Sequence, residues 1–129
     1  MRRSNMKSVH TLAAPEAVGP YSQAIVSGNY VYTSGQLGIG ADGRLAEGIA
    51  KQTEAALRNL SAVLQAADGD LSNVVKTTCF LANIEDFATF NDIYGKYMTG
   101  KPARSLIQAA ALPKGALVEI EAIAEIVKA

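Results

Sequence analysis

The stretch "GIAKQTEAALRNLSAVLQAA", residues 48–67, limits the possible folds more than any other part of the chain. Ile49, Thr53, Ala56, Leu57, Leu60, Val63, Leu64 and Ala67 recur at steps of three and four, which winds them into one apolar stripe on a helix. Lys51, Glu54, Arg58 and Gln65 fall on the other side. A helix with one greasy stripe has to lie on something apolar, and most of what the chain offers is strand. "KSVHTL" reads as a short first strand, followed by turn chemistry in "APEAVGPYSQ". "AIVSGNYVYTSGQL" reads as two strands about a Gly28-Asn29 hairpin turn.

"DGDLSN" ends the helix, and "VVKTTCFLA" reads as a core strand. Asn83 is placed to cap a second helix, whose Phe87, Phe90, Tyr94 and Tyr97 share a stripe until Gly100 and Pro102 stop it. "ARSLIQAAAL" and "ALVEIEAIAEIV" are the last two strands, joined by "PKG". In the final strand Val118, Ile120, Ala122, Ala124 and Ile126 face one way, and Glu119, Glu121, Ile123 and Glu125 the other.

This order predicts one α+β domain over residues 1–129: a mixed six-stranded sheet with two helices on one face. The unit through the second helix should be a right-handed parallel crossover. Residues 1–7 are expected to be a flexible N-terminal extension, with Met6 an alternative start. Two helices cover only one face of such a sheet. The other face holds Thr77, Cys79 and Leu81 or their alternates, which do not suit water, so the sheet calls for a partner and self-association is the expected remedy.

Lysine plus arginine and aspartate plus glutamate stand at 12 each, without a block of like charge, so the basic footprint of a nucleic-acid binder is missing from the totals. A single cysteine, Cys79, rules out an intrachain disulfide and suits a reducing compartment. No apolar run approaches the ~20 residues that cross a bilayer, and "MRRSNMKSVHTLAAPEAV" lacks the apolar core of a signal peptide. The expected address is cytoplasmic.

Several motifs lead nowhere. "GIGADG", residues 38–43, matches G-x-G-x-x-G, but no helix opens at its third glycine and no acidic residue lies about twenty positions on. Asp42-Gly43 is better read as a turn. One histidine and one cysteine far apart make no zinc site, so neither a metal nor a cofactor is expected. His10 reads as an exposed strand residue and Cys79 as an inert core thiol. With one histidine near the N-terminus, no Ser–His–Asp set can be assembled.

Polar groups on or beside apolar elements remain: Tyr21, Ser34, Asn91, Arg104 and Glu119. Arg104, in "GKPARSLIQ", is the sharpest, because an arginine entering an apolar strand needs an anion. Either Glu119 or Glu121 supplies it and the arginine is structural, or the carboxylate arrives with a ligand. The others have plain alternatives too. Tyr21 can cap a turn, Ser34 can satisfy the backbone at a strand end, and Asn91 can be a solvated helix residue.

"GPYSQA", "YTSGQL", "VVKTTCFL", "DFATFNDIY" and "PARSLIQAAALPKGALVEIEAIA" together resemble the Rid family of reactive-intermediate deaminases, also called YjgF. Older descriptions of that family use endoribonuclease or translation-inhibitor names. The similarity runs from about Ala14 to Ala124, and P-A-R-S followed by L-V-E-I-E is its most specific part. The resemblance implies the chorismate-mutase-like Rid/YjgF fold, trimerising through the sheet, with an active site in each cleft between subunits. It also implies hydrolysis of 2-imino acids, released by pyridoxal-phosphate enzymes, to 2-keto acids and ammonia. By motif, Arg104 matches the substrate-carboxylate arginine, Glu119 the acidic residue associated with the hydrolytic water, and Tyr21, Ser34 and Asn91 the pocket lining. Three features depart from relatives: the glycine-rich loop lacks the proline that often follows "SGQ", the connection "YMTGKP" after the second helix is short, and Leu106 is bulkier than the small or thiol side chains seen there in several members.

The residues suit this chemistry. Arginine's forked donors match a carboxylate in bidentate geometry. A protonated imine is already electrophilic, so the protein has only to position it and a water, which Glu119 can orient or partly deprotonate. If the last two strands form a simple hairpin, Glu119 sits opposite Ala110, ~20 Å along the strand from Arg104. If the last strand inserts elsewhere, the two are again not neighbours, so a site using both is more easily built between subunits. A non-catalytic trimer that binds small carboxylates through the same arginine and regulates a partner is the competing class. A ribonuclease or translation inhibitor is the weakest, given zero net charge and no histidine near the candidate residues.

Overall fold

The computed structural model of the protein describes residues 6–127. Its strands are β1 (Met6–Val9), β2 (Ala24–Ser27), β3 (Tyr30–Thr33), β4 (Gln36–Leu37), β5 (Val74–Leu81), β6 (Ala103–Gln108) and β7 (Val118–Glu125). The helices are α1 (Gly48–Ala66) and α2 (Phe87–Tyr97). Helix α1 lies where its stripe demands. Thr53, Ala56, Leu57, Leu60, Val63 and Leu64 are buried in one core with Val118, Ile120 and Ala124 of β7. Leu57, Leu60 and Leu64 have no exposed surface, and burial of each contributes about 1.5–3 kcal/mol. The helix stops where Asp68 turns left-handed at φ 69° and the Asp68 and Gly69 N–H groups donate back to Gln65 and Leu64.

The sheet runs β1-β2-β3-β7-β5-β6, with β4 also paired to β7. The six expected strands form the path, and the two-residue β4 is an unforeseen seventh that continues β3 along the same edge of β7. Gly28, at φ 60°, opens the two-residue β2–β3 turn, a place that favours glycine. β5 and β6 are parallel, Thr77 opposite Arg104 and Cys79 opposite Leu106. α2 crosses between them, as the sequence predicts. Asn83 accepts from the Glu85 N–H in the short turn that leads into α2. β7 does not pair with β6. It inserts between β3/β4 and β5 and is the central strand.

β7 alternates without a fault: Val118, Ile120, Ala122, Ala124 and Ile126 are buried under the helices, while Glu119, Glu121, Ile123 and Glu125 are half-buried on the face without helices. Thr77, Cys79 and Leu81 also belong to the helix side. The open face therefore carries their alternates, Thr78 and Phe80, together with the exposed Tyr30 and Tyr32. Met6 and Lys7, expected within a flexible extension, are the first residues of β1 and pair with Ser27 and Val26. The backbone hydrogen bonds to β2 hold them. Residues 1–5 of that extension lie outside the described residues. Neither helix among the described residues is long and apolar enough to cross a membrane.

Candidate active site

Arg104 sits on the edge strand β6, on the side of the sheet that faces the helices. Its guanidinium meets no carboxylate: among the described residues the one ion pair is the exposed Arg44–Asp42 contact. Instead Nη1 donates to Oδ1 of Asn91 at 2.7 Å. The guanidinium carbon lies 4.9 Å from the Tyr94 ring centre, 5.7 Å from Phe87 and 5.9 Å from Phe90. All four partners come from α2, whose i, i+3, i+4 and i+7 positions share a face. Tyr94 is itself held, its hydroxyl sharing a 2.7 Å hydrogen bond with Oγ1 of Thr77. Cys79 lies below in the core, its thiol pushed up to about 11 chiefly by burial, and it is inert at neutral pH.

Glu119 sits on the open face, opposite Phe80 of β5 and Leu37 of β4. Burial first, and the like charge of Glu121 second, push its carboxyl above the ordinary glutamate value. Its carboxylate packs against the backbone of Gly35, where a Cβ would lie 2.7 Å from the carboxyl carbon. Glu119 and Tyr21 line one cleft of about 810 Å³, walled by residues 12–18, the loop 35–43 and the Pro113-Lys114 turn.

Buried amides brace these walls. Gln23 accepts from the Thr11 N–H at 2.7 Å and donates to the Thr11 and Pro15 carbonyls. Asn59 donates to the Leu37 and Ile39 carbonyls, and Gln52 accepts from the Leu117 N–H two residues before Glu119. In the same cleft wall "GIGADG" forms a turn, with the Gly43 N–H donating to Gly40. Ser34 donates to the Ser22 carbonyl at 2.6 Å, tying the β3 end to the Tyr21 loop.

The five candidates thus fall into two groups. Asn91 and Arg104 stand together on the helix side, Tyr21 and Glu119 line the cleft, and Ser34 is tied to the Tyr21 loop through the Ser22 carbonyl. Arg104 and Glu119 are two strands and three residues of register apart, ~10 Å across and ~10 Å along, on opposite faces. A single chain cannot bring them together. The salt bridge to Glu119 or Glu121, the structural alternative for Arg104, does not form, because both glutamates point away from its side of the sheet. His10 borders a different groove, with Lys7 and Asp68.

A sequence profile described as Endoribonuclease L-PSP matches residues 11–126. The chain belongs to the endoribonuclease L-PSP family. It is 50% identical over 121 residues to a Bos taurus protein named 2-iminobutanoate/2-iminopropanoate deaminase, covering 92% of this chain and 88% of that one. Among solved structures it resembles a Yersinia pestis protein of the conserved Rid family, with 48% identity, a TM-score of 0.90 and coverage of 94% and 99%. RidA from an Antarctic Psychrobacter is similar at 44% identity, with a TM-score of 0.90 and coverage of 93% and 99%.

Within this L-PSP chain, sequence reasoning missed the role of Phe87, Phe90 and Tyr94. Their helical spacing was the available signal, and it reads as ordinary core. What it lacks is the parallel crossover that lays β6, and Arg104 with it, beside that stripe. Among the described residues no three His, Cys, Asp or Glu side chains gather closely enough to hold a metal ion.

Proposed function

We propose that this protein hydrolyses 2-imino acids to 2-keto acids and ammonia, in sites that form between the subunits of a homotrimer. One observation carries the reading: an unneutralised arginine and a desolvated glutamate lie on opposite faces of one sheet. Neither makes sense alone, and a second copy is the simplest way to oppose them. The open face, with Phe80, Tyr30, Tyr32 and Ile123 unsheltered by helix, supports such an assembly. The names of the relatives supply the reaction class.

In this reading Arg104 takes the substrate carboxylate in its fork and Asn91 keeps the guanidinium in place. Glu119 of the neighbouring copy holds a water against the imine carbon and accepts a proton as the C–O bond forms and the C=N electron pair moves to nitrogen. Glu119 then passes that proton to the nitrogen of the resulting carbinolamine. The C–N bond breaks as the hydroxyl gives its proton back to Glu119 and its electrons form C=O, ammonia leaves, and the keto acid remains. Tyr21 and Ser34 line the approach. The electrophile comes with the substrate, so the sequence of steps calls on no metal or organic cofactor. The cytoplasmic address expected from sequence fits a protein whose one thiol is buried and unpaired.

The assay is direct. A dehydratase generates 2-iminobutanoate, and the release of 2-oxobutanoate is timed with and without this protein. Faster release is expected, with a light-scattering mass near three times 13.5 kDa. An unchanged rate overturns the activity and leaves a carboxylate-binding trimer. A monomer at micromolar concentration overturns the shared site.

A further inference from the structure

Arg104 has no counter-ion among the described residues, yet it is closely surrounded. Three aromatic rings from α2 lie within 6 Å of the guanidinium carbon, Tyr94 nearest at 4.9 Å. A ring attracts a cation through its quadrupole and has no acceptor atom that would occupy an N–H. A carboxylate in the same place would neutralise the charge and take up two of the five guanidinium donors. Rings therefore immobilise an arginine while leaving it hungry for an anion. Tyr94 is indexed to the same rung of the sheet: its hydroxyl bonds Thr77, and Thr77 is the cross-strand partner of Arg104. Phe90 packs against Tyr94 with ring centres 5.3 Å apart, which fixes the cage from behind.

We propose that Tyr94, backed by Phe87 and Phe90, is a positioning residue that holds the Arg104 guanidinium in a fixed, unneutralised orientation for a small monocarboxylate. This rests on the reading of Arg104 as the carboxylate anchor. It adds that the affinity of the anchor is set by ring faces on α2, and that the Tyr94 hydroxyl serves the fold while the Tyr94 ring serves the ligand.

The two duties separate by substitution. Calorimetric titration with 2-oxobutanoate, the keto-acid product, reads the anchor without turnover, and thermal melting reads the fold. Tyr94→Leu should weaken binding about three- to tenfold. Phe87→Leu, at a ring that is 40% exposed, should weaken it about two- to threefold without lowering the melting temperature. Tyr94→Phe keeps the ring and loses the Thr77 bond, so its melting temperature should fall while binding stays within about twofold of wild type. Binding that is unchanged in both leucine variants overturns the cage, and Phe87→Leu decides alone should Tyr94→Leu not fold. A Tyr94→Phe protein that binds as poorly as Tyr94→Leu also overturns it, since the hydroxyl would then be what matters. Wild type that binds no better than Arg104→Ala removes the anchor and the cage together. Binding lost in Arg104→Ala but untouched in the ring variants removes the cage alone.

Discussion

Arg104 and Glu119 carry opposite charges, and the fold treats them in opposite ways. The arginine is wrapped from one side by rings and an amide oxygen, all of which favour its cation. The glutamate is half-buried on a face it shares with Glu121, and both influences disfavour its anion. One group keeps guanidinium donors free for an anion, and burial biases the other toward its protonated form. A site that must grip a carboxylate and also activate a water needs this division of labour. A direct ion pair between the two groups would quench both properties, and the sheet that separates their faces prevents it within one chain.

The largest break in this contrast is at the cation. Arg104→Ala should remove ~2 to 4 kcal/mol of transition-state stabilisation, a loss of roughly thirty- to a thousandfold in kcat/KM. Arg104→Lys should fall nearly as far, since a point charge does not reproduce the fork. Melting temperature should drop modestly, by the loss of one hydrogen bond and the ring contacts. A large fall in melting temperature with activity preserved would make Arg104 structural.

Glu119→Gln is next, with an expected loss of about a hundredfold. The wild-type kcat/KM profile should carry an acid limb above the ordinary glutamate value, absent from the residual activity of the variant. Stability supplies an independent sign. The folded carboxyl holds its proton at pH values where the unfolded chain has released it, so raising the pH through that interval lowers stability, and Glu119→Gln should remove the slope. Melting both proteins from pH 4 to 8 checks this, and a wild type whose stability rises across that interval would contradict the assignment.

The finest adjustment is Gly35→Ala. Its Cβ would lie 2.7 Å from the Glu119 carboxyl carbon and 2.9 Å from Cγ, so the carboxylate has to shift. About a tenfold loss of activity is expected from that misplacement, with 2-oxobutanoate binding at Arg104 unaltered. Equal losses of both would mean that the two halves are not separately built.

Local patterns carried most of the fold into view. The three- and four-residue steps of α1 and the two-residue alternation of β7 are properties of adjacent residues, and each predicts which side chains are buried. The position of β7 between β3/β4 and β5 is not local, because hydropathy fixes the face of a strand and says nothing about its neighbours. Two-residue β4 is too short for any periodicity. The same divide runs through the site. Arg104 stands out as a charge in an apolar strand, while Asn91 and Glu119 are polar groups with plain alternatives until motif resemblance gives them roles. The phenylalanines and tyrosine of α2 stayed invisible as ligand-site residues, since a core stripe and an arginine cage have the same spacing.

The central place of β7 has a further consequence for how the chain reaches this structure. Residue 30 pairs with residue 125 and residue 36 with residue 120, so the N-terminal hairpin and the β5–α2–β6 unit become one sheet only when β7 slides between them. Contacts of such long sequence separation slow folding, because the loop must close before any pairing rewards it. Until then β3 and β5 each present an unpaired edge, and α1 has only part of its floor. The strand that carries Glu119 is therefore also the keystone of assembly in time, and the chain is at its most vulnerable to wrong partners in the interval before β7 is in place.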